Sequence, residues 1–327
     1  MKVRNQIIGL GITIAALAAS PQTNAQINVG ANNSIGGTNS SIAGGNWSSI
    51  SGNNSIIGGG LSNSITASHI AIGGGWGNTA TTGFSTIGGG FDNLAFNQGA
   101  TVGGGEHNDA TGFRATIGGG GNNVASELNS TIGGGSSNEA SGSSSTVGGG
   151  SSNEASGFLS TVGGGSGNEA TGSRATVPGG QQGSASHHGQ FAYASGAFAA
   201  AGDAQASMYV LRTSTANSTQ TEMFLDGSSA RMTIASGRTL VFEIQVIARS
   251  SGNTSAAYLI KGALDNNGGT TSFLNTPIVE VLGEDVGSWD ATVEADNTND
   301  ALVLKVTGAA STTIRWVATV RTTEVSH

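Results

Sequence analysis

The most regular feature of this chain is an apolar residue that returns every 15 positions from Ile57 to Val177 and is always Ile or Val. The residue before it is usually Thr, and the one before that is mostly Ser or Ala. A short alternation of polar and β-branched apolar residues is typical of a strand with one buried face. The pattern therefore predicts a short strand in every copy of the repeat.

The rest of each copy predicts a second strand between two turns. Three glycines follow the apolar residue and an Asn-x-Ala segment comes next, so the consensus is Ser-Thr-Val-Gly-Gly-Gly-x-x-Asn-x-Ala-Ser-Gly-x-x. Glycine runs and Ser-Gly pairs are turn signals. A ninth copy begins at Pro178. The glycine runs of the other copies begin at Gly58, Gly73, Gly88, Gly103, Gly118, Gly133, Gly148 and Gly163.

A fixed period over so many copies indicates one structural unit stacked on itself. We expect a parallel β-solenoid with rungs about 4.8 Å apart, in which Val and Ile fill an inner seam and the Asn amides join along a column. Gly/Ser-rich tracts are often flexible linkers, but a linker would not keep Val, Asn and Ala in register. Each copy offers only two dependable apolar side chains, which is a thin core for one chain. We therefore predict a homotrimer.

The repeat resembles the head of trimeric autotransporter adhesins of the YadA type over roughly residues 28–206. The segments Ser145-Thr146-Val147-Gly148 and Glu154-Ala155-Ser156-Gly157 carry this resemblance, and Phe191 to Ala199 is closer still to the family form. It implies a left-handed β-roll trimer displayed for adhesion. The triple glycine and the 15-residue spacing depart from the family, and neither a coiled coil nor a membrane-anchoring barrel segment is evident.

From about residue 203 the glycines thin out, and short alternating strands follow one another between turn signals such as Asp226-Gly227 and Ser236-Gly237. This spacing predicts an antiparallel β-sandwich of the jelly-roll kind. The segments Gly202 to Gln205 and Glu222 to Gly227 resemble the tip domains of phage tail fibres. That resemblance implies a trimeric knob that binds a receptor or caps the shaft.

The beginning of the chain predicts a secretory signal over residues 1–25. Lys2 and Arg4 precede an apolar run from Ile7 to Ala19, and Thr23-Asn24-Ala25 offers a small-residue cleavage site. The predicted domains are therefore residues 1–25, the repeat shaft 26–202 and the C-terminal sandwich 203–327. We expect a secreted or cell-surface protein without a transmembrane segment in the mature chain.

Composition narrows the possible partners and chemistry. The chain has no cysteine, which excludes disulfides, thiolate metal sites and cysteine nucleophiles. Its net charge of −8 does not favour nucleic acid. His187-His188 and the column Glu139, Glu154 and Glu169 could bind a metal, but a solvated turn and a solvated carboxylate ladder are the simpler interpretations. Asp296 to Asp300 is most simply a hairpin turn. We therefore predict no catalytic site, no cofactor, no metal and no enzymatic activity.

These observations favour an exported adhesin that binds a cell-surface glycan or protein receptor through residues 203–327. Trp289, beside a polar turn, and Tyr258 are the candidate ligand contacts, whereas Trp316 inside a strand is a core residue. The alternatives are a structural spacer or matrix filament and a phage-fibre-like component. A glycan-cleaving solenoid enzyme would need clustered carboxylates, and ice binding would need more than one outward Thr in each rung.

Overall fold

The computed structural model describes residues 27–327, so the predicted signal segment 1–25 lies outside the described residues. The described chain contains only strands and connecting turns. It forms two compact units. The first unit contains the described residues up to 144 together with 148–150, and the second contains 145–147 and 151–327. The change in composition at residue 203 falls inside the second unit, and the predicted domain bounds stay a prediction.

The first unit is built from two-residue strands separated by turns. Its strands are β1 (Ile27–Asn28), β2 (Ser34–Ile35), β3 (Ser41–Ile42), β4 (Ser49–Ile50), β5 (Ile56–Ile57), β6 (Ser64–Ile65), β7 (Ala71–Ile72), β8 (Thr79–Ala80), β9 (Thr86–Ile87), β10 (Leu94–Ala95), β11 (Thr101–Val102), β12 (Asp109–Ala110), β13 (Thr116–Ile117), β14 (Val124–Ala125), β15 (Thr131–Ile132) and β16 (Glu139–Ala140).

Each strand pairs in parallel with the equivalent strand of the next rung. In β9 and β11, Thr86 lies opposite Thr101 and Ile87 opposite Val102. Paired residues are therefore one 15-residue repeat apart in the sequence. The Ile and Val side chains are fully buried, and the Thr beside them points outward. The Ala of each Asn-x-Ala strand is buried as well. The predicted parallel β-solenoid is confirmed.

The predicted amide column is also confirmed, and it lies in the interior. Asn93 donates from Nδ2 to Asn78 Oδ1 at 3.0 Å, to Gly89 O at 3.1 Å and to Gly105 O at 2.8 Å. The backbone N–H of Asn108 donates to Asn93 Oδ1 at 3.0 Å. Each rung thus adds a hydrogen-bonded amide to its apolar pair, with a net contribution of about 1 kcal/mol per bond.

The glycine run is required by the close approach of successive rungs. A Cβ on Gly88 would lie 2.2 Å from Gly103 O, and one on Gly90 would lie 2.0 Å from Gly105 O. Gly90 also has a φ of +101°, a region that favours glycine. Both contacts are too short for a side chain on these rungs, although the ninth copy carries Pro178 at the position equivalent to Gly88.

The second unit contains further rungs and a set of longer strands. The rung strands are β17 (Thr146–Val147), β18 (Glu154–Ala155), β19 (Thr161–Val162), β20 (Glu169–Ala170), β21 (Thr176–Val177), β22 (Gly180–Gln181), β23 (Ser184–Ala185) and β24 (Phe191–Ser195). The later strands are β25 (Ala204–Thr215), β26 (Thr221–Glu222), β27 (Met232–Thr233), β28 (Arg238–Ser250), β29 (Ser255–Asn266), β30 (Thr271–Phe273), β31 (Ile278–Glu284), β32 (Asp290–Asp296), β33 (Ala301–Thr307) and β34 (Ile314–Ser326).

The later strands form two antiparallel sheets around one hydrophobic core. In the larger sheet β25, β34, β28 and β29 are neighbours, and β29 also pairs with β30 and β31. In the smaller sheet β33 pairs with β26, β27 and β32. Both sheets contribute to the core, so the predicted antiparallel sandwich is confirmed. Trp316 lies in this core, as predicted, and donates to Thr215 Oγ1 at 3.0 Å.

Candidate functional site

The two ligand contacts predicted from the sequence lie inside the sandwich. Trp289 is 3% exposed and Tyr258 is 1% exposed. The Trp289 ring packs against Trp316 with centroids 5.8 Å apart, and Tyr258 donates its hydroxyl proton to Glu284 Oε2 at 3.1 Å. Burial raises the pKa of Tyr258 far above its usual range. Neither ring is presented to a ligand, so their role in binding remains a prediction without geometric support.

Exposed aromatic rings occur instead on the rungs, among them Trp47, Trp76, Phe84, Phe96 and Phe158. One column of the first unit brings large side chains together directly after the glycine run, where the chain makes a single parallel bridge to the next rung. Successive rungs carry Leu61, Trp76, Phe91 and Glu106 there. Trp76 is 55% exposed. Elsewhere in the described repeat this position holds Ala, Asn, Gly, Ser or Gln.

Stacking of the rungs brings these rings into contact. The centroids of Trp76 and Phe91 are 4.9 Å apart with the planes at 59°, and those of Phe91 and His107 are 5.0 Å apart with the planes at 82°. These separations follow the rise of about 4.8 Å between paired strands. We call Trp76, Phe91 and His107 the aromatic platform. It is a continuous ring surface on an exterior that is otherwise rich in Ser, Thr and Gly.

An acidic cavity of about 350 Å³ lies beside the platform. Gly77 has no side chain at the position where the next two rungs carry Asp92 and His107. The cavity is therefore open on the side of Gly77. A Cβ on Gly77 would already lie 3.5 Å from Asp92 Oδ1. Asp109, on the outer face of β12, forms another part of the wall. Two carboxylates, one imidazole and the edge of a ring surface therefore meet at one place.

The two carboxylates have different environments. Asp92 Oδ2 lies 3.3 Å from His107 Nδ1, and both side chains are open to solvent. Burial raises the pKa of Asp109, the negative charge of Asp92 raises it further, and His107 acts in the opposite direction. Asp109 therefore holds its proton to a higher pH than an ordinary aspartate. A carboxyl that retains its proton can act as an acid, and it offers a hydrogen-bond donor to a hydroxylated ligand beside the acceptor oxygens of a second carboxyl.

His187, considered from the sequence as a metal ligand, has local hydrogen-bond partners. His187 lies 3.1 Å from Gln190 Oε1 through Nδ1 and 3.0 Å from Thr233 Oγ1 through Nε2. Glu154 and Glu169 lie in register on neighbouring rungs, where burial and the charge of Glu154 raise the pKa of Glu169. Residues 27–327 contain no cluster of three or more His, Cys, Asp or Glu arranged to hold a metal ion.

The segment from Asp296 to Asp300 is a hairpin turn between β32 and β33, as predicted. Asp296 Oδ1 accepts the backbone N–H of Thr298 at 2.9 Å and that of Asn299 at 3.1 Å. The side-chain amide of Asn299, which donates to Asp296 Oδ2 at 2.6 Å, lowers the pKa of Asp296 most, and the two backbone hydrogen bonds lower it further. Its oxygens are therefore used to hold the turn.

Sequence reasoning missed the platform and the cavity because it followed the consensus. Trp76, Phe91 and Glu106 are departures from the column after the glycines, and Asp92 and His107 are departures in the next column. The spacing of 15 residues places Asp92 next to His107, and Asp109 is only two residues further along. Aligning the copies and marking consecutive departures in one column would have found the site.

Two phage tailspike proteins are among the solved structures similar to this chain. One is tailspike protein gp49 of Acinetobacter baumannii bacteriophage Fri1, a capsular polysaccharide depolymerase, with 6% identity and a TM-score of 0.22 over 88% of this chain and 62% of that protein. The other, the tailspike protein of Acinetobacter phage vB_ApiP_P1, has 10% identity and a TM-score of 0.20 over 93% of this chain and 80% of that protein. This chain thus spans less than two thirds of the length of the first.

No protein-family model and no curated protein matches the chain. The resemblance to trimeric autotransporter adhesins therefore stays a prediction. Between Ile27 and His327 the chain has no helix with the length and hydropathy needed to cross a membrane.

The prediction that the chain has no enzymatic activity is contradicted by the tailspike comparison, because the first of these proteins is a depolymerase. The physical reason for the error is visible in the rungs. The prediction assumed that no carboxylates cluster, but the rung register brings Asp92 and Asp109 to one cavity. Likenesses with TM-scores this low carry no argument for a particular activity, so the proposals below rest on the side chains.

Proposed function

We propose that this chain is a component of a phage-like fibre that binds a surface polysaccharide along its rungs. The observation that carries the proposal is the contact of the exposed Trp76 ring with the half-buried Phe91 ring beside the Asp92 and Asp109 carboxyls. Pyranose rings have an apolar face of C–H groups that packs on aromatic rings, and their hydroxyls donate to carboxylates. The platform and the cavity together offer both kinds of contact.

The cost of exposing these rings supports a binding role. A large ring surface open to water is unfavourable, and exposed apolar patches on soluble proteins commonly mark interaction sites. Here Trp76 and Phe91 occupy consecutive rungs next to Leu61, while the same position elsewhere in the described repeat is small or polar. The rungs of the repeat are fixed by the glycines and the amide column, so the platform is rigid before a ligand arrives, which reduces the entropy lost on binding.

The proposal moves the main contact away from residues 203–327, where the sequence placed it. It retains the homotrimer and the location outside the cell. The edge strand β31 supports association, because Ile278, Val279, Val281 and Leu282 are all exposed although they point to both faces of the sheet. An exposed apolar edge favours pairing with another chain, and assembly with further copies of this chain would cover it.

Cleavage of the bound polysaccharide is a second candidate function. Its support is the meeting of two carboxyls at one cavity: Asp109, whose pKa is raised by burial, and Asp92, which lies 3.3 Å from His107 Nδ1. Glycoside hydrolysis commonly uses one protonated and one ionised carboxyl on either side of the bond that breaks. In this scheme Asp109 donates a proton to the leaving oxygen, and Asp92 accepts a proton from the attacking water.

Binding can be tested with the full chain on a panel of bacterial surface polysaccharides. We expect Trp76→Ala with Phe91→Ala to weaken binding at least about fivefold, since stacking on an aromatic ring contributes roughly 0.5–1.5 kcal/mol per pair beyond burial. Phe158→Ala is the matched control, because it removes an exposed ring from a rung outside the platform. Equal affinities for the double variant and the control would contradict the proposal.

Cleavage can be tested on a polysaccharide that the chain binds, by measuring new reducing ends. If the second candidate is right, Asp92→Asn and Asp109→Asn each abolish cleavage while the polysaccharide stays bound. Binding without any new reducing ends in the parent protein would remove cleavage and leave the binding proposal intact.

A further inference from the structure

A second site is indicated on the outer face of the larger sheet of the sandwich. Three arginines come together there: Arg212 on β25, Arg315 on β34 and Arg249 on β28. Arg249 lies directly opposite Arg315 in the antiparallel register. Arg212 lies opposite Val317, which is two residues from Arg315 on the same face. All three arginines are exposed. We call them the arginine cluster.

Like charges directly opposite each other destabilise a sheet. Within residues 27–327, none of the three arginines forms an ion pair with a carboxylate. Other cations of the sandwich are neutralised: Arg238 pairs with Glu324 and Lys261 with Glu243. The arginine cluster is therefore an uncompensated positive region on a chain whose net charge is −8.

The Asp226 carboxylate, at the turn beside Arg212, does not pair with the cluster. Its Oδ1 accepts the backbone N–H groups of Ser228, Ser229 and Ala230 at 2.8–2.9 Å. These hydrogen bonds hold the pKa of Asp226 far below its usual range. Arg212 donates instead to the backbone carbonyl of Asp226, from Nη2 at 2.7 Å. The Asp226 carboxylate is thus engaged by its own turn.

The arginine cluster borders an open groove of about 340 Å³. Arg212 and Arg315 line it together with Ser214 and Val317. Gly227 forms part of the wall, and a Cβ there would lie only 3.0 Å from Arg212 Nε, so the glycine makes room for the guanidinium. The guanidinium of Arg315 makes no hydrogen bond or ion pair within the described chain. Its donors are available to a ligand.

We propose that this groove binds the carboxylate groups of an acidic polysaccharide. Guanidinium groups bind carboxylates through two parallel hydrogen bonds, which gives both charge and geometry. The Ser214 hydroxyl and the exposed Val317 suit the hydroxyls and the C–H face of a sugar ring. The volume is at the lower end for small-ligand sites and admits one or two sugar units of a longer chain. The site does not depend on the aromatic platform.

The test uses the full chain with polygalacturonate as the acidic polymer and dextran as the neutral one. The expected result is preferential binding of polygalacturonate, weakened about tenfold or more by Arg212→Gln with Arg315→Gln. The control is Lys261→Gln with Arg321→Gln, which removes the same charge from the same sheet face and is expected to change affinity by less than about twofold. Arg212→Lys with Arg315→Lys keeps the charge and should give an intermediate loss, because lysine cannot bind in the bidentate manner.

Equal losses for the cluster variant and the control variant would overturn the proposal, because general charge attraction would then be sufficient. Equal binding of dextran would overturn the carboxylate assignment, and tighter binding of duplex DNA would overturn the polysaccharide assignment. Trp76→Ala with Phe91→Ala is expected to leave polygalacturonate binding to the arginine cluster unchanged. A failure of the platform can therefore be distinguished from a failure of this site. Thermal unfolding of each variant checks that these exposed substitutions leave the fold intact.

Discussion

The rungs and the sandwich differ in whether their interior positions are repeated along the chain. In the rungs each interior position is a column of near-identical side chains, so Val102 has Ile87 and Ile117 as partners in neighbouring strands. In the sandwich each position is used once, and Trp289 packs on Trp316 in a core without repeats. A residue that differs from the repeat consensus is therefore easily recognised in a rung. The sandwich has no repeat consensus with which a residue could be compared.

The difference decides how function can be recognised in each region. In the rungs the aromatic platform consists of departures from two neighbouring columns of the repeat, with Trp76 and Phe91 in one and His107 in the next. In the sandwich the arginine cluster is recognisable only by its lack of partners, after the register has placed Arg249 opposite Arg315. The predictions below test whether the two regions differ in this way.

The largest effect is expected from a charge in the rung interior. Val102→Asp places a carboxylate at a fully buried position, and an uncompensated buried charge costs about 3–5 kcal/mol. Thr101→Asp is the control, because Thr101 is the preceding residue of the same strand and faces outward. Chemical denaturation of both variants measures the difference. Equal loss of stability would mean that the faces of the strand are assigned wrongly.

The second-largest effect is expected from Trp289, and it should distinguish this buried tryptophan from the exposed Trp76. Trp289→Ala should destabilise the sandwich by about 3–5 kcal/mol, since it empties a buried site. Trp76→Ala removes an exposed ring and should change unfolding by less than about 0.5 kcal/mol, while it weakens glycan binding. Thermal unfolding and polysaccharide affinity are measured on both proteins. A stable Trp289→Ala variant with lost binding would support the sequence prediction that Trp289 contacts the ligand.

A smaller effect is expected from the amide column. Asn93→Leu leaves Asn108 N–H and two glycine carbonyls without their amide partner. An unsatisfied buried group costs about 1–3 kcal/mol, so a loss in that range is expected. Gln98→Leu, at an exposed turn position, is the control. Hydrogen exchange of the rung amides would show the loss locally, and unchanged protection would contradict the role given to this column.

The smallest effect concerns Asp109. Its pKa is raised in the folded state, so protonation favours the folded state, and this stabilisation is lost as the pH rises through the folded pKa. Asp109→Asn should therefore unfold at a higher temperature than the parent at pH 7. The difference should disappear below pH 3.8, the ordinary value for an aspartate. A difference that does not change with pH would show that burial of this carboxyl has no energetic cost.

Much of the fold could be predicted because periodicity constrains it directly. The register of 15 residues fixes which strands pair, and the glycines fix how closely the rungs approach. The amide column also followed from the repeat. Trp289 and Tyr258 were predicted as ligand contacts because nearby turns and aromatic character were weighed above alternation, and the structure places both rings in the core. Trp289 shares its buried face with Ala291, and Tyr258 shares its face with Ile260.

The candidate sites could not be predicted from the sequence alone, because they depend on which side chains the turns and the strand pairing bring together. Asp92 and Asp109 converge only when the turn geometry of the rungs is known, and Gly77 opens the cavity between them. The arginine cluster needs the pairing of three strands distant in sequence. Local patterns predict elements well, whereas convergence of side chains depends on register and on which groups remain unpaired.

The most direct test of the account is a crystal structure of the full chain with an oligosaccharide from a polysaccharide that it binds. The account predicts a sugar ring lying on Trp76 and Phe91, with hydroxyls within hydrogen-bonding distance of Asp92 or Asp109. A ligand bound only at other rungs, or only on the sandwich, with the aromatic platform free, would contradict the claim that consecutive departures in the rungs form the binding site.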